Sequence, residues 1–101
     1  MFAVIYRFNV HPGKEVEFED AWEHLTKLIL EYEGSLGSRL HRNENGEYIA
    51  YAQWPDRETW LNAGSNLPAA AEGYRKNMRE SCQSIETLHE LDPINDLLEF
   101  N

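Results

Sequence analysis

A chain of 101 residues is long enough to close one hydrophobic core, and its 42% apolar and 12% aromatic content excludes a disordered polymer. Nine basic residues against eighteen acidic ones leave a formal charge of −9 and no basic patch to neutralise phosphates, which sets aside nucleic acid and anionic membrane as partners. One cysteine, Cys82, excludes an intrachain disulfide and a thiol-rich zinc site.

Residues 2–10, FAVIYRFNV, mix β-branched and aromatic types and predict a strand. Phe2, Val4, Tyr6, Phe8 and Val10 share one face; Ala3, Ile5, Arg7 and Asn9 share the other. His11-Pro12-Gly13 breaks the strand, and from Lys14 the period becomes helical. Phe18, Ala21, Trp22, Leu25, Leu28, Ile29 and Tyr32 form an apolar stripe, acidic residues crowd the first turns where the helix dipole favours them, and Gly34 ends the helix. Asn43-Glu44-Asn45-Gly46 between residues 35–42 and 47–54 signals a hairpin. Asp56, after Pro55, caps a short helix that runs to Ala63 and stops at Gly64. A second long helix is predicted from about Pro68 to Cys82, with Ala70, Ala71, Tyr74, Met78 and Cys82 down one face. Residues 84–91 alternate as a last strand, closed by Pro93, and the tail carries Ile94, Leu97, Leu98 and Phe100, too apolar to lie wholly in water.

The order reads βαββαβ: an α+β, ferredoxin-like split unit with a four-stranded antiparallel sheet, taken as a single domain over residues 1–101. Helices on one face leave Ala3, Ile5, Ile49 and Tyr51 bare on the other, so a homodimer through the sheet faces is expected. No apolar stretch is long enough to span a bilayer, and the opening MFAVIYRF lacks the parts of a signal peptide, so the expected location is cytoplasmic.

If Trp54 faces the helices, so do Tyr48, Ala50 and Ala52. Two alanines there leave space. Tyr6, Trp54, Trp60 and Tyr74 either fill it as ordinary core or line a cavity whose flat walls and few polar tips suit an aromatic or quinoid ligand. Among the histidines, His11 sits in a turn, His24 lies off the apolar stripe and His41 is in the hairpin. His89, on the parity of Ile85, Thr87 and Leu91, is the preferred proton-transfer candidate; the other reading gives it no catalytic part. No histidine pair has metal-site spacing and HExxH is absent, so no metal is expected; phosphate-binding glycine loops and GxSxG are absent too. Cys82 reads as a buried helix thiol, since nothing basic flanks it to lower its pKa, and Arg39 and Arg42 either meet a ligand or pair with acidic side chains.

VHPGKEVEFEDAW, GSLGSRLHR and YIAYAQWPDRETW resemble the antibiotic biosynthesis monooxygenase (ABM) domain family, most clearly over residues 2–64. The resemblance implies a dimeric α+β barrel with a pocket in each subunit between sheet and helices. It also implies a choice of chemistries: cofactor-independent oxygenation of polyphenolic aromatics, haem degradation, or action on a small signalling carbonyl compound. Trp54 matches the strand-end tryptophan of the oxygenases. Ala50 stands where they carry asparagine, Trp60 where they carry tyrosine, and Tyr74 falls close to their helix arginine, with Arg75 one step beyond. The haem degraders' first-strand asparagine aligns near Tyr6 and their ligating histidine near Glu72-Gly73, where no imidazole stands, so haem degradation is not expected.

The leading expectation is therefore an ABM-type monooxygenase that needs neither metal nor flavin. It would hold an activated phenol or anthrone in a dry pocket and favour its deprotonated form, whose carbanion reduces O₂ directly. Tyr6, Tyr74 and His89 are the candidates for the base and for the dipoles that stabilise the enolate. Trp54 and Trp60, with Ala50 and Ala52 beside them, would position the ring. The alternatives are a non-catalytic dimeric domain that binds a small hydrophobic metabolite and an enzyme acting on a small signalling carbonyl compound.

Overall fold

Strand β1 (Phe2–Val10), helix α1 (Glu15–Tyr32), strands β2 (Gly37–Arg42) and β3 (Tyr48–Trp54), helices α2 (Arg57–Leu61) and α3 (Ala70–Ser81) and strand β4 (Cys82–Leu91) succeed one another in the computed structural model, which describes residues 1–99. The sheet runs β2-β3-β1-β4 and is antiparallel at every pairing, the ferredoxin-like arrangement expected. β1 is central because both its faces carry apolar side chains, and it pairs with β3 and β4 together. At the hairpin tip the Asn43 carboxamide oxygen accepts the N–H groups of Asn45 and Glu47 at 3.0 and 2.9 Å. Asp56 caps α2 by accepting the Thr59 N–H at 2.7 Å, which holds its carboxyl below the usual range.

The helix-facing side of the sheet makes two core clusters rather than one. Phe8, Phe18, Tyr48, Ala50 and Cys82 form the first, with the Phe8–Phe18 and Phe18–Tyr48 ring centres 5.0 and 4.9 Å apart. Phe2, Val4, Ala52 and Trp54 form the second, with Ile29 and Trp60 packed against it. Phe18 is fully buried, and burying such a side chain contributes about 1.5–3 kcal/mol. Tyr6 packs on both clusters and marks the gap between them.

Four details depart from the sequence reading. Tyr32 is 45% exposed, because it lies past the end of the stripe that Phe18, Ala21 and Leu25 bury. α3 stops at Ser81 and Cys82 opens β4, where it is a buried strand thiol that burial pushes up to about 11. Ile94 and Leu97 are exposed, with nothing among the described residues covering them, and Phe100 lies outside the described residues. Finally, β4 is bulged. Tyr6 faces Thr87 but Ile5 faces His89, so Leu88 is an extra residue. Side chains alternate with a period of two, so one inserted residue swaps the faces of all those beyond it. His89 therefore sits with Ile5 on the outer face, and Glu90, opposite Val4, takes the helix side.

The outer face is mixed. Ile5, Ile49 and Tyr51 are half-buried, and beside them the Arg7 guanidinium grips Glu86 with hydrogen bonds of 3.0 Å to both carboxylate oxygens. Among the described residues no helix is long and apolar enough to cross a membrane.

Candidate functional site

Space remains where Ala50 and Ala52 face α1. A cavity of about 230 Å³ lies there, the inner chamber, with Trp22, Leu25 and Ile29 of α1 and Met78 of α3 opposite the two alanines and Tyr6, Phe8 and Trp54 beside them. Its walls are apolar apart from a few side-chain tips, a setting that suits a flat ring. A second cavity of about 330 Å³, the outer chamber, shares Tyr6, Ile29 and Trp54 with the first. Its other lining residues include Trp60 of α2, residues 63, 64 and 67 of the next loop, and Arg75 of α3.

Tyr6 and Trp54, which line both chambers, each carry one polar group. The Trp60 indole N–H donates to the Tyr6 hydroxyl oxygen at 2.7 Å. Burial holds the Tyr6 phenol above its ordinary pKa, the Trp60 hydrogen bond opposes this in part, and the Glu90 carboxylate adds to the rise. The Trp54 indole N–H is buried with no acceptor among the described residues. An unpaired buried donor costs about 1–3 kcal/mol.

The outer chamber's loop is fixed by Glu33, a residue that the sequence reading did not single out. Its carboxylate is buried and accepts the backbone N–H groups of Gly64 and, at 3.3 Å, Asn66. Gly64 has a φ of +109°, in the left-handed region, and a Cβ there would come within 3.5 Å of the Arg75 guanidinium. A signal for Glu33 did exist: an acid at a helix C-terminus opposes the dipole and needs donors of its own.

Of the residues singled out from sequence, Tyr6, Ala50, Ala52 and Trp54 meet at the inner chamber, and Trp60 closes the outer one. Tyr74 does not join them. Its ring stacks on His24 at 4.8 Å and 13°, along the seam of α1 and α3. α3 turns Ala71, Arg75 and Met78 inward at i, i+4 and i+7, and Tyr74 lies about 100° round from Arg75. Of Tyr74 and Arg75 it is thus Arg75 that lines a chamber, the outer one, and it makes no ion pair among the described residues. His89 is absent as well, carried to the outer face by the bulge at Leu88. None of the histidines lines either chamber. Arg39 donates to His41 at 2.9 Å and Arg42 lies over the Tyr48 ring at 5.1 Å, so neither reaches the cavities. No group of three or more histidine, cysteine or carboxylate side chains among the described residues is placed to hold a metal.

Comparison with known proteins agrees with this architecture. The family model for antibiotic biosynthesis monooxygenases matches residues 1–79. The structure is similar to that of SnoaB, a cofactor-independent oxygenase from Streptomyces nogalater, with a TM-score of 0.77 and 19% identity over 97% of each chain. It is also similar to Rv0793 from Mycobacterium tuberculosis, with a TM-score of 0.69 and 17% identity over 93% of this chain and 98% of that one. At such identities the likeness concerns the fold. No curated protein sequence matches the chain.

Proposed function

The chain belongs to the antibiotic biosynthesis monooxygenase family, and from that premise we propose that it is a cofactor-independent monooxygenase acting on a small aromatic, polyphenolic or quinoid compound. The observation that carries the reading is the inner chamber: about 230 Å³ of apolar space walled by tyrosine, phenylalanine and tryptophan.

Such a chamber binds a planar ring by burying its apolar surface, and a ring seated there displaces water that would compete for a developing charge. The Arg75 guanidinium in the outer chamber favours the ionised form of the ligand over the neutral one. Among the described residues no histidine or carboxylate lines either chamber, so the ligand's own acidity supplies the carbanion and the proton leaves to water. For an anthrone the ring methylene becomes a carbonyl: one atom of O₂ enters the carbonyl, and the other leaves as water with the two methylene hydrogens.

The same reading joins two copies through the outer sheet faces, which covers Ile5, Ile49 and Tyr51. The lack of a histidine or carboxylate at the chamber among the described residues favours, as a second reading, a dimeric domain that binds such compounds without transforming them.

The test is oxygen uptake with a panel of anthrones and quinols, using wild type and the chamber-filling Ala52→Leu. Wild type is expected to consume oxygen, and Ala52→Leu to lose at least about tenfold of that rate while keeping its melting temperature, because the leucine enters existing space instead of an overpacked core. Uptake that Ala52→Leu leaves untouched would sink the proposal. Ligand binding without uptake would select the second reading.

A further inference from the structure

The hydrogen bond between Trp60 and Tyr6 fixes more than the pose of two rings. A phenolic oxygen can accept one hydrogen bond and donate another. Here the acceptor side is taken by the Trp60 N–H at 2.7 Å, and the described residues offer the Tyr6 proton no acceptor. Trp60 is itself gripped: its ring lies 5.6 Å from that of Phe2, and Arg57, which opens α2, lies 5.7 Å from the Phe2 ring centre while pairing with Glu90. The Tyr6 ring packs on both core clusters, so the hydroxyl has little freedom to leave the junction of the two chambers.

We propose that Tyr6, oriented by Trp60, donates a hydrogen bond to a carbonyl or enolate oxygen of the bound compound and so makes the site selective for aryl ketones and quinones over hydrocarbons of the same shape. This rests on the reading that an aromatic compound occupies the inner chamber. Tyr6 is then a donor and not a base, since its buried phenol keeps its proton at neutral pH. Trp60 is a positioning residue that acts through Tyr6, and its value lies in preorganising the donor before the ligand arrives.

The experiment compares binding of 1-tetralone and of tetralin, its analogue without the carbonyl, to wild type, Tyr6→Phe and Trp60→Phe, by quenching of tryptophan emission or by calorimetry. Wild type is expected to bind the ketone more tightly than the hydrocarbon. Tyr6→Phe is expected to weaken the ketone by about 3–10-fold, the range of one neutral hydrogen bond, and to leave tetralin unchanged. Trp60→Phe, which keeps a ring against Phe2 but removes the N–H, is expected to lose part of the same preference. A wild type with no preference for the ketone overturns the proposal, and so does a Tyr6→Phe variant that weakens both compounds equally or neither. A Tyr6-dependent preference in a protein that shows no oxygen uptake keeps this proposal and removes the oxygenase reading.

Discussion

Tyr48 and Tyr6 show how position sets the chemistry of one residue type. The Tyr48 ring is buried between Phe18 and the Arg42 guanidinium, and its hydroxyl donates to the Glu19 carboxylate on α1. Burial, and then the carboxylate that takes its proton in a hydrogen bond, push its pKa from 10.0 up to about 12. A phenol whose folded pKa lies above its unfolded one contributes stability that is whole below pH 10 and disappears as pH rises through the folded value. Denaturant unfolding is therefore expected to show stability falling between about pH 10 and pH 12, with a shallower fall in Tyr48→Phe. Identical pH profiles for the two proteins would refute this account. Tyr6 is raised by burial as well and adds to the fall with the same sign, so some slope survives in the variant.

At the scale of elements, short pieces place the site. α2 buries no residue fully and is held by Trp60 and Arg57 on one side and by the loop after it on the other. That loop depends on Glu33, whose two backbone donors lie 31 and 33 positions along the chain. Removing the carboxylate leaves two amide donors unpaired, at about 1–3 kcal/mol each if they stay buried, which is more than a surface loop withstands before it opens. Glu33→Ala is expected to expose residues 62–67 to limited proteolysis, with Glu33→Gln milder because one acceptor oxygen remains. Unchanged cleavage in the alanine variant would show that the loop is held by something else. The bulge at Leu88 acts at the same scale: it takes His89 out of the chamber and brings Glu90 to the helix side, where it pairs with Arg57.

For the whole molecule, the twelve aromatic residues are more than one small core needs, and the fold distributes them. Phe2, Phe8, Phe18 and Tyr48 are core; Tyr6, Trp22, Trp54 and Trp60 wall the chambers; Tyr51 belongs to the outer sheet face. A half-buried outer face with Ile5, Ile49 and Tyr51 predicts a dimer in sedimentation at micromolar concentration, and Ile49→Asp is expected to shift it to monomer while the helix-side core stays folded. A wild type that sediments as a monomer would remove the sheet-to-sheet pairing.

The element order, the hairpin over Asn43–Gly46 and the helix-facing side of β1 and β3 were legible in the sequence, because local periodicity and turn chemistry decide them. Alternation within one strand also put Ala50 and Ala52 on the helix side, but it left open whether rings fill the space opposite them or line a cavity. What the tertiary structure alone decided is which candidates reach that chamber. Whether Tyr74 or Arg75 points inward depends on a helix rotation of about 100°, set by packing against the sheet. The side that His89 takes depends on one extra residue in the pairing of β4 with β1. Glu33 finds its donors across a sequence gap that no local pattern spans. Local physics built the walls, and contacts between distant segments chose the polar groups set into them.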